Sequence, residues 1–185
     1  VGVFLMFLEA FHVEYGGYVL QVEVRDTMFF ANPFVRVSAH TPRGLFSSLE
    51  IVVMGHHVGG RFSASWLKSF TGSTAVTQFI QGLTLHGRPV AVVCSGFYGG
   101  TARAMLDYLT AFADALTAAS DAAATIYGID QGVHIYLQFI GLPLAGFPHP
   151  IGVFDEATGP IHHYFEGGAR RDRLGRYLNC RGEPY

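Results

Sequence analysis

PVAVVCSGFYGGTARAMLDYLTAFADALTAAS, Pro89 to Ser120, joins an apolar run to a glycine-rich stretch and then to a segment in which Ala102, Met105, Leu106, Leu109, Phe112, Ala113 and Leu116 recur at helical spacing. A short apolar run rich in valine reads as a buried strand. Glycines at its end read as a turn where positive φ is tolerated, and the recurrence that follows reads as a helix packed along one face. The stretch is therefore predicted to be a strand, a tight SGFYGG turn and a helix. Strands alternating with helices in this way imply an α/β domain with a largely parallel sheet.

Working outward, Tyr18 to Val24 is short, rich in Val, and bounded by Gly17 and the Arg25-Asp26 pair, as expected of a second buried strand. Leu49 to Met54 (LEIVVM) is a third, and Ile151 to Phe154 and Ile161 to Phe165 read as extended. A helix is predicted over Asp130 to Phe139, and another over Val3 to Tyr15, stopped by Gly16-Gly17. Chain direction changes again at Asn32-Pro33, because the residue before proline disfavours the α region. The run RRDRLGR, Arg170 to Arg176, reads as a solvated loop.

Half of the 185 residues are hydrophobic and only 14% are charged, with a mean hydropathy of +0.30, so the chain can bury one substantial core and is read as a single domain over residues 1–185. A net charge of -2 and a pI near 6.5 lack the basic excess of a nucleic-acid-binding surface, and no nucleic-acid partner is expected. Cys94 and Cys180 have neither zinc-ribbon spacing nor the density of a disulfide scaffold. Glu9, His12 and Glu14 interrupt the apolar start well short of the ~20 residues a membrane span needs. With no initial Met and an abrupt end at RGEPY, the sequence reads as a fragment.

In open α/β sheets ligands bind beyond the carboxyl ends of strands, which directs attention to Arg25-Asp26, to the turn beginning at Ser95 and to IDQGVH, Ile129 to His134. Asp26 is either a ligand at a strand end or a partner for a helix N-terminus. A carboxylate there suits Mg or Mn against a diphosphate, since hard cations take oxygen ligands. Glu23 reaches the same ion only if the strand ends before Asp26. The Ser95–Gly100 stretch is a poor dinucleotide loop, because its spacing is not G-x-G-x-x-G; it is a plain connection or, with Ser95 and Gly96, the lining of a sugar pocket. Asp130 and His134 stand at i and i+4 on one helical face, as an acid and a histidine side by side or as an N-cap with an incidental His. The pairs His56-His57 and His162-His163 point to opposite faces if extended, and no H-E-x-x-H occurs, so a zinc enzyme is unsupported.

Taken in order, EVRDTMFFANPF, CSGFYGG, LDYLTAF and IDQGVHIYL resemble the motifs of nucleotide-sugar-dependent glycosyltransferases of the GT-A fold, over most of Tyr18 to Tyr185. The resemblance implies a three-layer sandwich with a mostly parallel central sheet, whose N-terminal nucleotide-binding strands are missing from this sequence. It implies that Asp26, with Glu23 in the place of the first acid of a DxD-like motif, holds a divalent cation, Mn or Mg, and that Arg25 stands beside it. Ser95 and Gly96 would lie under the donor sugar or acceptor, with Asp130 and Gln131 at the sugar. The sequence departs from the group at Phe30-Ala31, where Phe-Gln is usual, and at Ile135, where Asn is usual.

The expected function is transfer of a sugar from a nucleotide-sugar donor to a hydroxyl acceptor on glycan, protein or a small molecule. The cation offsets charge on the leaving diphosphate, Asp130 orients or deprotonates the acceptor, and His134 is the second candidate base. The other expectation, favoured by the two departures, is a carbohydrate-binding or scaffolding relative without turnover. Relatives of this kind work in the Golgi lumen or the cytoplasm, and the sequence does not choose between them.

Overall fold

A computed structural model describes residues 17–22, 27–29, 32–35, 43–55, 57–85, 88–119, 125–154, 161–163 and 172–174, with positions 6 and 10. In chain order the strands are β1 (Tyr18–Val22), β2 (Thr27–Phe29), β3 (Leu45–Val53), β4 (Thr84–Leu85), β5 (Arg88–Pro89), β6 (Ala91–Thr101), β7 (Ile151–Phe154) and β8 (Ile161–His163). The helices are α1 (His57–Thr71), α2 (Thr74–Gln81), α3 (Ala102–Ala118), α4 (Ile129–Tyr136) and α5 (Leu142–Leu144), and a π-helical segment, Leu137–Gly141, joins the last two. Met6 and Ala10 are helical; the remainder of the helix expected over Val3 to Tyr15 lies outside the described residues.

The fold is mixed α/β, but its sheet is not the largely parallel one expected. The main sheet has the order β1-β6-β3-β7, and β6 runs antiparallel to both β1 and β3; only β3 and β7 are parallel. The apolar run of β6 shows that the strand is covered on both faces. A central antiparallel strand under helices meets that condition as well as a parallel one does. Phe97 and Tyr98, adjacent on β6, point to opposite faces. Tyr98 joins Leu45, Met105, Tyr108, Leu109, Val133 and Leu137 beneath α3 and α4, whereas Phe97 packs with Phe46, Cys94 and Phe154 on the reverse side. A further cluster of Met54, Leu67, Ile80, Val92 and Ile135 seats α1 and α2 beside α4.

The SGFYGG turn is also corrected: β6 continues through it to Thr101, and α3 begins at the next residue. Here glycine serves close approach instead of a reversal. A Cβ at Gly99 would lie 2.6 Å from the Val19 carbonyl oxygen and 2.7 Å from the Phe46 ring, and one at Gly100 would lie 2.6 Å from the Gly44 carbonyl oxygen. Thr101 starts the helix, its hydroxyl accepting from the Ala104 N–H at 3.3 Å. Between Gly55 and Leu83 the sequence predicts no element, because paired glycines and a Ser/Thr-rich composition hide the helical period; the structure places α1 and α2 there. Gly72, at φ +63°, ends α1, and the Ser73 hydroxyl caps α2 by accepting from the Val76 N–H.

Helices α1 and α4 cross at Gly132, where an added Cβ would lie 2.7 Å from the Trp66 carbonyl carbon and oxygen. Backbone cannot yield as a side-chain tip can, so Gly132→Ala is expected to lower the unfolding free energy by about 1–3 kcal/mol despite alanine's better helix propensity. Urea denaturation of the variant measures the loss, and an unchanged midpoint would show that the two helices do not cross this closely.

Candidate functional site

The site grows from a break in the ladder between β3 and β6. Ser47 pairs with Tyr98 and Leu49 with Val93, so Ser48 alone opposes the four residues Cys94 to Phe97. An irregularity of this size leaves backbone groups on β6 without strand partners, and a buried amide left so is costly. Gln131, buried on α4, supplies them: its amide Nε2 donates to the Val93 carbonyl, and its Oε1 accepts from the Ser95 N–H at 3.1 Å. One side chain thus bridges the start of the irregular stretch, from the paired Val93 to the unpaired Ser95, and fastens the first turn of α4 to the sheet.

On the helix-covered face, the Tyr98 hydroxyl donates to Gln21 Oε1, and the Tyr98 ring lies 5.1 Å from both the Tyr108 and the His134 rings. The Tyr108 hydroxyl is hydrogen-bonded to Nδ1 of His134. His134 has no exposed surface, and burial drives its pKa down to about 3, so the ring is neutral across the physiological range. Burial raises both tyrosine hydroxyls above the usual range, with the negative charge of Asp130 acting in the same direction. A neutral His134 accepting at Nδ1 carries its proton on Nε2. That nitrogen, the Ser47 hydroxyl and both amide atoms of Gln138 are buried without a hydrogen-bond partner among the described residues. Gln138 lies in the π-helical segment, a distortion frequent at functional sites.

Beside the break in the ladder, burial pushes the Glu50 carboxyl up to about 7, against the opposing effect of a hydrogen bond from the Cys94 thiol. This places a half-neutral acid next to Cys94 at neutral pH.

Of the residues proposed from sequence, Ser95 and Gln131 are brought into direct contact across 36 positions of chain, and Gly96 follows Ser95 on the same irregular stretch. Asp130 is exposed in the first turn of α4. His134, one turn on, is wholly buried against Tyr108, so the i, i+4 pair is divided between solvent and core. Glu23, Arg25 and Asp26 lie outside the described residues; the last described residue of β1, Val22, pairs with Phe97, two positions from Ser95. Among the described residues no group of three His, Cys, Asp or Glu side chains is arranged to hold a metal, and no helix is long and apolar enough to cross a membrane.

Tyr98, Tyr108 and Glu50 are the site's unanticipated members. Glu50 had a signal, as a lone carboxylate inside the apolar run LEIVVM. Tyr108 entered only as part of LDYLTAF in the ordered motif set, and by itself a tyrosine at helical spacing reads as ordinary core. No family model matches this chain, and no curated protein or solved structure matches it.

Proposed function

We propose that the chain is a glycosyltransferase domain of GT-A type, moving a sugar from a nucleotide-sugar donor to a hydroxyl acceptor. The reading is supported by one observation above all: the Gln131 amide meets the backbone of Ser95 beside the end of β1, so that separate pieces of the ordered motif set converge. Asp26 follows four positions after Val22, and Asp130 stands exposed next to Gln131. In the proposed reaction the acceptor oxygen forms a bond to the anomeric carbon, and the bond from that carbon to the phosphate oxygen breaks. The acceptor proton passes to the Asp130 carboxylate, and the nucleoside diphosphate leaves. Asp130 suits the role better than His134, because an exposed carboxylate can meet a hydroxyl and a buried neutral imidazole cannot. A divalent cation held by Asp26, with Glu23, would offset the charge of the leaving diphosphate.

The second reading, a carbohydrate-binding relative without turnover, is favoured by the same glutamine. Its amide oxygen and one of its two amide N–H groups are engaged by the β6 backbone, and the buried side chain is held there instead of facing a sugar. Hydrolysis of nucleotide sugars in the presence of Mn distinguishes the two. Asp26→Ala is expected to lower turnover on the order of 100-fold. A rate unaffected by that substitution would remove Asp26 from the mechanism, and the absence of turnover with every donor would leave the binding reading.

A further inference from the structure

We infer that Ser47, His134 and Gln138 line an internal binding site for water between α4 and the sheet, an inference that goes beyond the glycosyltransferase reading and does not rest on it. Ser47 follows Leu45 at the strand repeat of two, so both side chains point to the helix-covered face. The cross-strand partner of Ser47 is Tyr98, whose ring lies 5.1 Å from that of His134. Gln138 stands four residues after His134, one turn along the same side of the helix. Val133 and Leu137, the residues just before each of them, pack in the same cluster as Leu45 and Tyr98. A strand, a helix and the π-helical segment thus turn polar side chains towards one region of the interface. All three are interior: Ser47 and His134 have no exposed surface, and Gln138 keeps 4%.

The atoms left over select the occupant. With Nδ1 engaged by Tyr108, the neutral imidazole presents an N–H at Nε2, Gln138 adds amide N–H groups and a carbonyl oxygen, and Ser47 adds a hydroxyl. A guest must therefore accept and donate at close range, and water does both. Internal water typically makes ~3 hydrogen bonds to groups that would otherwise have none. An ion is disfavoured, because none of the three side chains carries a charge to offset it and an unpaired buried charge is far costlier than an unpaired amide. Without a guest, four buried polar atoms at one interface would lack bonds, where native interiors leave few. Gln138 is also the second residue of the π-helical segment, whose turn is wider than that of an α-helix. Water completes a directed chain: the Tyr108 hydroxyl donates to Nδ1, Nε2 donates to water, and water donates to the Gln138 carbonyl oxygen or to Ser47 Oγ. It supplies no countercharge, so the imidazole stays neutral.

Gln138→Leu separates a hydrated site from a dry one by the sign of its effect, since leucine is close to glutamine in volume. If the amide bonds to water, the substitution removes those bonds and takes partners from the guest, and the urea midpoint is expected to fall. If the amide were dry and unbonded, an apolar side chain of similar shape would relieve it, and the midpoint would rise. Oxygen-17 magnetic relaxation dispersion counts long-lived internal waters, and the parent is expected to hold at least one more than the leucine variant. A measurement on the parent alone is independent of how well the variant folds. The side-chain amide protons of Gln138 are expected to show rotating-frame cross-peaks to water with the sign of a dipolar contact and not of exchange. The inference is overturned by a midpoint that is unchanged or raised, by equal counts of long-lived waters in the two proteins, or by the absence of those cross-peaks.

Discussion

Gln131→Leu is expected to lower the unfolding free energy by about 1–4 kcal/mol, because it takes a hydrogen bond from one buried and one half-buried backbone group at once. The leucine nearly matches the glutamine in volume, so the change is one of hydrogen bonding and not of packing. It removes the side-chain donor from the buried Val93 carbonyl and the acceptor from the half-buried Ser95 N–H, which lies in the stretch of β6 that β3 does not pair. The buried carbonyl so abandoned costs about 1–3 kcal/mol, and the half-buried N–H, which water can reach, about 1 kcal/mol or less. Equilibrium denaturation measures the sum, and amide exchange at Ser95 localises it, since that N–H is expected to lose protection before its neighbours on β6. A glutamine whose task is only to contact a bound sugar predicts the reverse pattern, with stability intact and activity lost. Parent-like stability for the leucine variant would therefore withdraw the role of Gln131 as the substitute for a broken ladder.

How much of this was legible in the sequence follows from what each signal encodes. The β6–α3 unit was readable because both periods are strong: a valine run, then apolar residues at i, i+3 and i+4. The location of α4 was readable from the polar start and the apolar face. Strand direction was not, because hydrophobicity records burial and is indifferent to the sense of the neighbouring strand. Gly99 and Gly100 misled for a related reason. Glycine marks either a positive φ or a tight contact, and only coordinates that put Phe46 and Gly44 beside them select the second. The meeting of Ser95 with Gln131 was expected only through the ordered motif set. Its reason, an irregular stretch of β6 whose Ser95 N–H is left unpaired by β3, depends on the register of β3 and has no trace in local sequence. The division of Asp130 from His134 between solvent and core has the same origin. Helical spacing puts two residues on one side of a helix, but the partner elements decide where along that side the core begins.

The stability of the domain is expected to respond to pH through two buried groups that act in opposite directions. Glu50 titrates near 4.5 in the unfolded chain and near 7 in the folded one. Between those values the folded state binds more protons, so stability falls as pH rises through the window, by at most about 3 kcal/mol at 1.36 kcal/mol per unit. His134 goes from 6.5 unfolded to about 3 folded. There the unfolded state binds more protons, so stability is lost as pH falls from 6.5 towards 3, by at most about 5 kcal/mol. From 4.5 to 6.5 the two slopes oppose each other and the parent changes little, which makes the difference between variant and parent the informative quantity. Glu50→Gln keeps the shape and the hydrogen-bonding capacity but cannot ionise. Its advantage over the parent is expected to be near zero at pH 4 and to grow to about 3 kcal/mol at pH 8. His134→Gln removes the acid-side loss, so its stability relative to the parent is expected to improve as pH falls from 7 to 4, whatever it costs at neutral pH through the bond to Tyr108. Urea denaturation across this range reads both differences. A difference for Glu50→Gln that stays flat with pH would mean the carboxylate ionises normally in the folded protein, and that the region around Cys94 is wetter than its packing implies. A flat difference for His134→Gln would mean that the imidazole finds a proton acceptor for its Nε2 and can bear charge, which would return it to consideration as a base.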